Sequence, residues 1–181
     1  MSGEETLQQR ARELATPVQR RETSEQTLQL LIFRLLGAQY ALPLADVEEV
    51  ARIEEVYPVP CVPGHMSGIF RRHGRSIALV NIRALFADSS GGIADSDYAI
   101  VVLVRGKRFA MQVEDIEGVV GVSGDSLLPP PDGLPTNQLP FISSVSLQGL
   151  VVLDIGRLLD SEAFRSAAWQ MALGDEAEAT Q

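Results

Sequence analysis

Apolar and polar positions alternate with a period of two through most of the chain, in short runs broken by turn residues. TLQLLIFRLL, residues 27–36, places Leu28, Leu30 and Ile32 on one face and Leu31 and Phe33 on the other, the pattern of a strand. Gly37-Ala38 turns the chain and Tyr40–Leu44 returns. Ala45-Asp46 is expected to open a helical turn carrying Val47 and Val50 at i, i+3, with Glu48 and Glu49 beside them. Residues 51–65 contain Pro58, Pro60, Pro63 and Gly64 and read as an ordered loop. Strands at about Met66–Arg72 and Arg75–Asn81 flank a tight turn at His73-Gly74, and Ile82–Phe86 reads as a helical turn. The polar run 87–97 reads as a surface loop between two parts of the chain.

The pattern then repeats. GAQYALPLADVEEV, from Gly37, aligns without a gap with GKRFAMQVEDIEGV, from Gly106, at an offset of 69 residues. Tyr40 answers Phe109, Ala41 answers Ala110, and Asp46-Val47-Glu48 answers Asp115-Ile116-Glu117. Strands are expected at Tyr98–Arg105, Phe109–Val113, Glu117–Ser123, Phe141–Leu147 and Leu150–Leu153, with residues 124–141 as a proline-rich loop. Asp154–Leu159 echoes Asn81–Phe86 after its hairpin. Closely spaced short strands with few helices predict a mainly β protein of barrels or sandwiches. Two copies of this size predict two small five-stranded barrels that share a core. The expected organisation is a polar leader at 1–26, a domain at 27–160 and a C-terminal segment at 161–181. Within the domain the interleaved subdomains span about 27–86 and 98–160. Leu7, Ala11, Leu14 and Val18 give the leader helical spacing, and residues 161–173 predict a C-terminal helix with Ser161 as its cap.

Charge and composition narrow the function. The chain has 181 residues, 45% hydrophobic and 22% charged, with a net charge of −9 that disfavours nucleic acid and anionic membrane surfaces. No apolar run approaches the roughly 20 residues of a membrane span, and the acidic start lacks a signal peptide's apolar core. A cytoplasmic protein is therefore expected. Cys61 is the single cysteine, and His65 and His73 are the only histidines, so metal chemistry has no donor set and no cofactor is expected. No phosphate-binding glycine loop or nucleophile elbow occurs. Two charged clusters remain. Asp46, Glu48, Glu49, Glu54 and Glu55 follow the first hairpin, and Arg71, Arg72, His73 and Arg75 sit on the second. The acidic cluster would support a small β-barrel enzyme only if a pocket raised a carboxyl pKa. A solvated face, or ion pairs between the clusters at a protein interface, is the plainer reading.

YALPLADVEEV, followed by PCVPGHMSGIFRRHGRSIALVNIRALF, resembles the CheW-like domain of bacterial chemotaxis. The resemblance covers about Leu28 to Leu159. Its P-x-x-P-x-x-x-x-G pattern is matched by Pro60, Pro63 and Gly68. It implies two intertwined SH3-like barrels with a groove between them, and a function without catalysis. Proteins of this family couple the cytoplasmic tip of a methyl-accepting chemoreceptor to a CheA-type histidine kinase, in arrays on the inner face of the membrane. The family's contact positions fall on Val47, Glu49, Gly68 and His73. The family hairpin G-x-x-N-L-R-G appears here as Gly68-Ile69-Phe70-Arg71-Arg72-His73-Gly74, which shifts the basic load to Arg71 and Arg72. Asn81 stands where the family has an acidic residue. The altered hairpin also admits a specialised member serving type IV pilus (twitching) motility.

Overall fold

A computed structural model describes residues 27–86, 98–134 and 138–165. The expectations for the 1–26 leader, the 87–97 loop and the helix beyond 165 fall outside these residues. The described strands are β1 (Thr27–Leu35), β2 (Ala38–Pro43), β3 (Val47–Arg52), β4 (Val56–Tyr57), β5 (Met66–Arg72) and β6 (Arg75–Asn81), then β7 (Tyr98–Val104), β8 (Lys107–Val113), β9 (Asp115–Ser123), β10 (Leu127–Leu128), β11 (Ile142–Ser146) and β12 (Val151–Leu153). Short helices α1 (Ile82–Phe86) and α2 (Ile155–Asp160) follow β6 and β12.

The strands form two sheets, and each draws on both copies of the repeat. The first runs β10-β11-β12-β2-β1-β9 and the second β3-β7-β8-β6-β5-β4. Each has five principal strands and one two-residue strand, β10 or β4. Hairpin β1–β2 belongs to the first copy. Its neighbours are β9, antiparallel with Leu30 opposite Val120, and β12, parallel with Ala41 opposite Val152. Hairpin β7–β8 belongs to the second copy. It lies between β3, with Val50 opposite Ile100, and β6, with Leu79 opposite Ala110. The copies have exchanged hairpins.

Hydrophobic patterning explains why this exchange is stable. A central strand buries both faces, so β1, β2, β7 and β8 carry apolar residues on both. One face feeds a shared core containing Leu31, Phe33, Tyr40 and Leu42 from the first hairpin and Ile100, Val102, Phe109 and Met111 from the second. The other face feeds a smaller cluster inside each sheet. Leu30 and Ala41 meet Leu150 and Val152; Ala99 and Ala110 meet Phe70 and Leu79. Leu30 and Ala99, like Ala41 and Ala110, are repeat partners at the 69-residue offset.

The turns follow the same symmetry. Leu36-Gly37 has φ of 54° and 73°, and Arg105-Gly106 has 52° and 73°. Positive φ at both positions matches the twist of a two-residue hairpin, and glycine takes it at least cost. The Glu114 carboxylate accepts from the Leu36 and Gly37 amides at 2.9 and 3.3 Å and pairs with Arg83 of α1 at 3.4 Å. Arg105 pairs with Asp160 of α2 at 2.9 Å. Asn81 and Asp154 cap the helices, their Oδ1 atoms accepting from Ala84 N at 3.2 Å and Arg157 N at 3.0 Å. Asparagine at 81 therefore does the capping that an acidic residue would do.

Four local expectations differ from the structure. The 3-10 turn is Leu44–Asp46, and Val47–Arg52 is a strand, because β-branched Val47 and Val50 pair with Val102 and Ile100 rather than meeting across a helical turn. The loop at 51–65 includes β4, which lies ahead of its first proline and pairs with Phe70 and Ile69. The loop at 124–141 likewise includes β10, paired with β11. After α2, Glu162–Phe164 forms a 3-10 turn. Ser161 precedes it without a side-chain cap bond, and its hydroxyl donates back to the Leu158 carbonyl at 2.6 Å.

The described chain ends in a plug. Phe164 is fully buried, with its ring 5.4 Å from that of Phe109 and 5.9 Å from the His65 imidazole. His65 Nε2–H donates to the Ala163 carbonyl at 3.0 Å, and burial holds the imidazole pKa below its ordinary value. Phe164→Ala is expected to destabilise the fold by about 3–5 kcal/mol through cavity formation. Denaturant unfolding checks this, and a loss under about 1 kcal/mol would mean that the plug is not part of the core.

Candidate functional site

The two charged clusters meet on the second sheet. A bulge in β3 between Val47 and Glu49 breaks the strict alternation of side chains. Glu48 and Glu49 therefore both line one groove instead of pointing to opposite faces. The β5–β6 hairpin forms the facing wall with Arg72, His73 and Arg75, and Arg108 of β8 lies at the floor beside Ile77 and Val101. The groove has a volume of about 330 Å³.

Its ion pairs are specific. Arg72 Nε and Nη2 both reach Glu49 Oε1 at 2.6 Å, and His73 Nε2 lies 3.3 Å from the same carboxylate. Arg108 holds Glu48 through Nε and, at 2.9 Å, through Nη2. These hydrogen bonds keep the Glu49 and Glu48 carboxyls below the usual glutamate range, that from Arg72 dominating for Glu49 and that from Arg108 for Glu48. The two charged clusters thus pair across the groove, with Arg72 closer to Glu49 than His73 is.

The remaining candidates lie elsewhere. Arg71 is exposed on β5 and is absent from the groove lining. Val47 is half-buried against the shared core. Gly68 is buried at a bulge in β5 with φ of 143°, where a Cβ would collide with the Tyr57 carbonyl oxygen and lie 2.9 Å from Val56 Cγ1. Its place is to let β4 close on β5. Of the acidic cluster, Glu55 accepts from the Tyr57 hydroxyl at 2.7 Å. Asp46 has its pKa raised, first by burial and then by Asp154. Among the described residues no group of three or more histidine, cysteine or acidic side chains could hold a metal, no charged side chain is buried, and no helix is long and apolar enough to cross a membrane.

Arg108 went unmarked in the sequence, although the repeat locates it. Gln39 is its partner at the 69-residue offset, and Glu117 is the partner of Glu48. Gln39 Nε2 donates to Glu117 Oε2 at 2.5 Å, so a polar tie recurs at the same place in each sheet. The groove itself has a counterpart, also of about 330 Å³, on the first sheet. Ile32 and Gln39 occupy the places of Val101 and Arg108, and the β11–β12 turn at Leu147-Gln148 takes the place of the charged hairpin. Val120, Val122 and Leu150 make the lining uncharged and largely apolar, with Ser126 and Ser146 beside them and with Val120 39% and Leu147 83% exposed. One groove is ionic and its symmetry mate is greasy.

Residues 29–163 match the family model described as a CheW-like domain. The chain is 25% identical over 152 residues to the chemotaxis protein CheW of Treponema pallidum (strain Nichols), covering 80% of this chain and 89% of that protein. It is 21% identical over 141 residues to the chemotaxis protein CheW of Bacillus subtilis (strain 168), covering 76% and 90%. The crystal structure of the scaffolding protein TtCheW from Thermoanaerobacter tengcongensis superposes with a TM-score of 0.66 at 20% identity, covering 76% of this chain and 95% of that one. The mainly β architecture of two SH3-like barrels is thus shared with a solved relative.

Two expectations follow from the geometry. Gly68→Ala should lower the melting temperature by several degrees, since it combines a left-handed backbone with a clash against main chain; an unchanged melt would show that β4 gives way freely. Because the folded pKa values of Glu48 and Glu49 are depressed, their contribution to stability is present above the ordinary glutamate pKa of about 4.3 and is lost as pH falls through the lower folded values. Glu48→Gln/Glu49→Gln should therefore be less stable than the parent at neutral pH, with the difference closing on acidification below about pH 4. A difference that stays constant across that range would place the carboxylates outside the linkage.

Proposed function

The chain belongs to the CheW-like domain family, and on that premise we propose that it is a non-catalytic adaptor that joins a chemoreceptor's cytoplasmic tip to a CheA-type histidine kinase. The observation that carries the reading is the pair of symmetry-related grooves with opposite chemistry. An adaptor must hold two different partners at once, and two copies of one scaffold, one ionic and one apolar, supply two non-competing surfaces. Charged grooves confer orientation and specificity, whereas apolar ones gain affinity by removing surface from water. We assign the receptor tip to the Glu49 groove and the kinase's regulatory domain to the apolar groove around Val120.

The contrasting reading, an enzyme using the acidic cluster, requires a carboxyl raised in a pocket. Glu48 and Glu49 are instead lowered and held by arginines. Asp46, whose carboxyl is raised first by burial and then by Asp154, lies outside the groove lining.

Binding of the full chain to a CheA-type kinase and to a receptor fragment is the direct test. Both are expected to bind together, and failure of a folded sample to bind either defeats the adaptor reading. Glu49→Arg should weaken receptor binding and spare the kinase, and Val120→Glu should do the reverse, each with an unchanged circular dichroism spectrum. Loss of both partners from either single change would merge the two surfaces into one.

A further inference from the structure

The repeat shows what the apolar groove lacks. On the second sheet Glu48 and Glu49 bridge to Arg108 and Arg72 above Ile77 and Val101. At the 69-residue offset Glu49 becomes Gly118, and the buried Ala51 becomes Val120, which is exposed. No described residue that lines the apolar groove is charged, and Val120 and Leu147 stand open at it. The place where the chain arrives decides what can cover it. β1 starts at Thr27, opposite Ser123, and Leu28 lies opposite Val122 of the lining. Leu28 is exposed and shares its strand face with Ile32, also of the lining. Residues 1–26 therefore join the fold at the groove's own rim. Within them Leu7, Ala11 and Leu14 fall at i, i+4 and i+7, ahead of Pro17, while Gln9, Arg12 and Glu13 fall on the opposite side of the predicted helix. The stretch from Pro17 to Gln26 reaches at most about 35 Å, and a helix over 7–16 is about 15 Å long, so the leader can lie along the groove with chain to spare. The C-terminal segment leaves from elsewhere, beyond Phe164 at the Phe109 and His65 rings.

Resting on the reading of this groove as the kinase's docking place, we infer that the chain's own leader lies in it as an amphipathic helix, with Leu7 and Leu14 against Val120 and Leu147, and competes with the kinase. The groove, about 330 Å³, is too small for a helix body of about 10 Å diameter and takes its apolar side chains instead. An uncharged lining accepts that face without stripping water from an ion, which the groove on the second sheet would require. Tethering supplies the rest. A segment joined at the rim by a short linker acts at an effective concentration on the order of 1 mM, so a weak contact is enough to occupy the groove without closing it for good. The kinase then meets an open groove in only a fraction of the chains, and its apparent affinity falls by that fraction. The leader thereby sets a threshold that a weakly matched apolar surface does not pass.

The test compares the full chain with Leu7→Glu/Leu14→Glu, first alone and then with a CheA-type kinase. Alone, the methyl NMR signals of Val120, Val122, Leu147 and Leu150 should shift in the variant, while those of Ile77 and Val101 in the ionic groove stay in place. With the kinase, the variant should bind roughly three- to tenfold more tightly than the parent, as expected if the groove is open in about a tenth to a third of parental chains. Binding of a receptor cytoplasmic-tip fragment should be unchanged. Unmoved methyl signals at the apolar groove overturn the inference. So do signals that follow protein concentration in parent and variant alike, which put a second copy in the groove. Shifted signals with kinase affinity at the parental value overturn the competition and move the kinase to another surface. Shifted signals from a chain that binds no kinase and no receptor defeat the adaptor reading and leave the leader in its groove, so the two failures are distinct.

Discussion

The backbone hydrogen bonding between exchanged hairpins is the constraint on which the rest depends. A strand inserted into a sheet must find partners along both edges, and here those partners come from the other copy of the repeat. Hairpin β1–β2 is satisfied by β9 and β12, and hairpin β7–β8 by β3 and β6. Neither copy completes its own sheet. The shared core follows, because each hairpin carries one apolar face into the opposite half and presents the other to a common interior led by Phe33 and Phe109. The glutamate at the β1–β2 turn and the Arg105–Asp160 pair then pin turns and helices around that crossing.

This crossing also places the candidate site. Glu48 sits on β3 and Arg108 on β8, one from each copy, and they meet only because β7–β8 lies beside β3. On the other sheet the same relation brings Gln39 to Glu117. The grooves thus share a scaffold and differ in what lines them. The β5–β6 turn carries Arg72, His73 and Arg75, while the corresponding β11–β12 turn carries Leu147 and Gln148. Tandem repetition supplied two equal places on the surface, and substitution at a few turn positions made their chemistry unequal.

Much of this was legible in the residues. The alternation located β5 and β6 to the residue, and the gapless echo of Gly37–Val50 in Gly106–Val119 announced two similar barrels. The clusters at Glu48-Glu49 and Arg72-His73 were visible as charge, and they pair. Other features were hidden for physical reasons. Periodicity records which residues are buried but not against what, so it could not say that β1 lies beside β9. A two-residue strand such as β4 is too short to show alternation. The bulge that turns Glu48 and Glu49 to one side depends on pairing with β7, which lies about fifty residues away in sequence and leaves no local mark. Arg108 was missed because a lone arginine on an apolar strand reads as an edge residue until its repeat partner is considered.

The exchange has a consequence for how the chain comes into being. The first sheet contains β1, near the beginning of the described chain, and pairs β2 with β12, near its end. During synthesis the opening hairpin emerges with both edges bare and must wait for more than a hundred further residues before the second edge is filled. Pairing at such separation is slow, because loop entropy is lost before contacts repay it. The second sheet draws only on β3 to β8, so its strands are all made before β9 to β12, which the first sheet needs, have emerged. A chain that stalls after β8 holds every residue of the ionic groove while the β1–β2 hairpin still lacks both its neighbours, so the two grooves come into being in a fixed order, ionic before apolar.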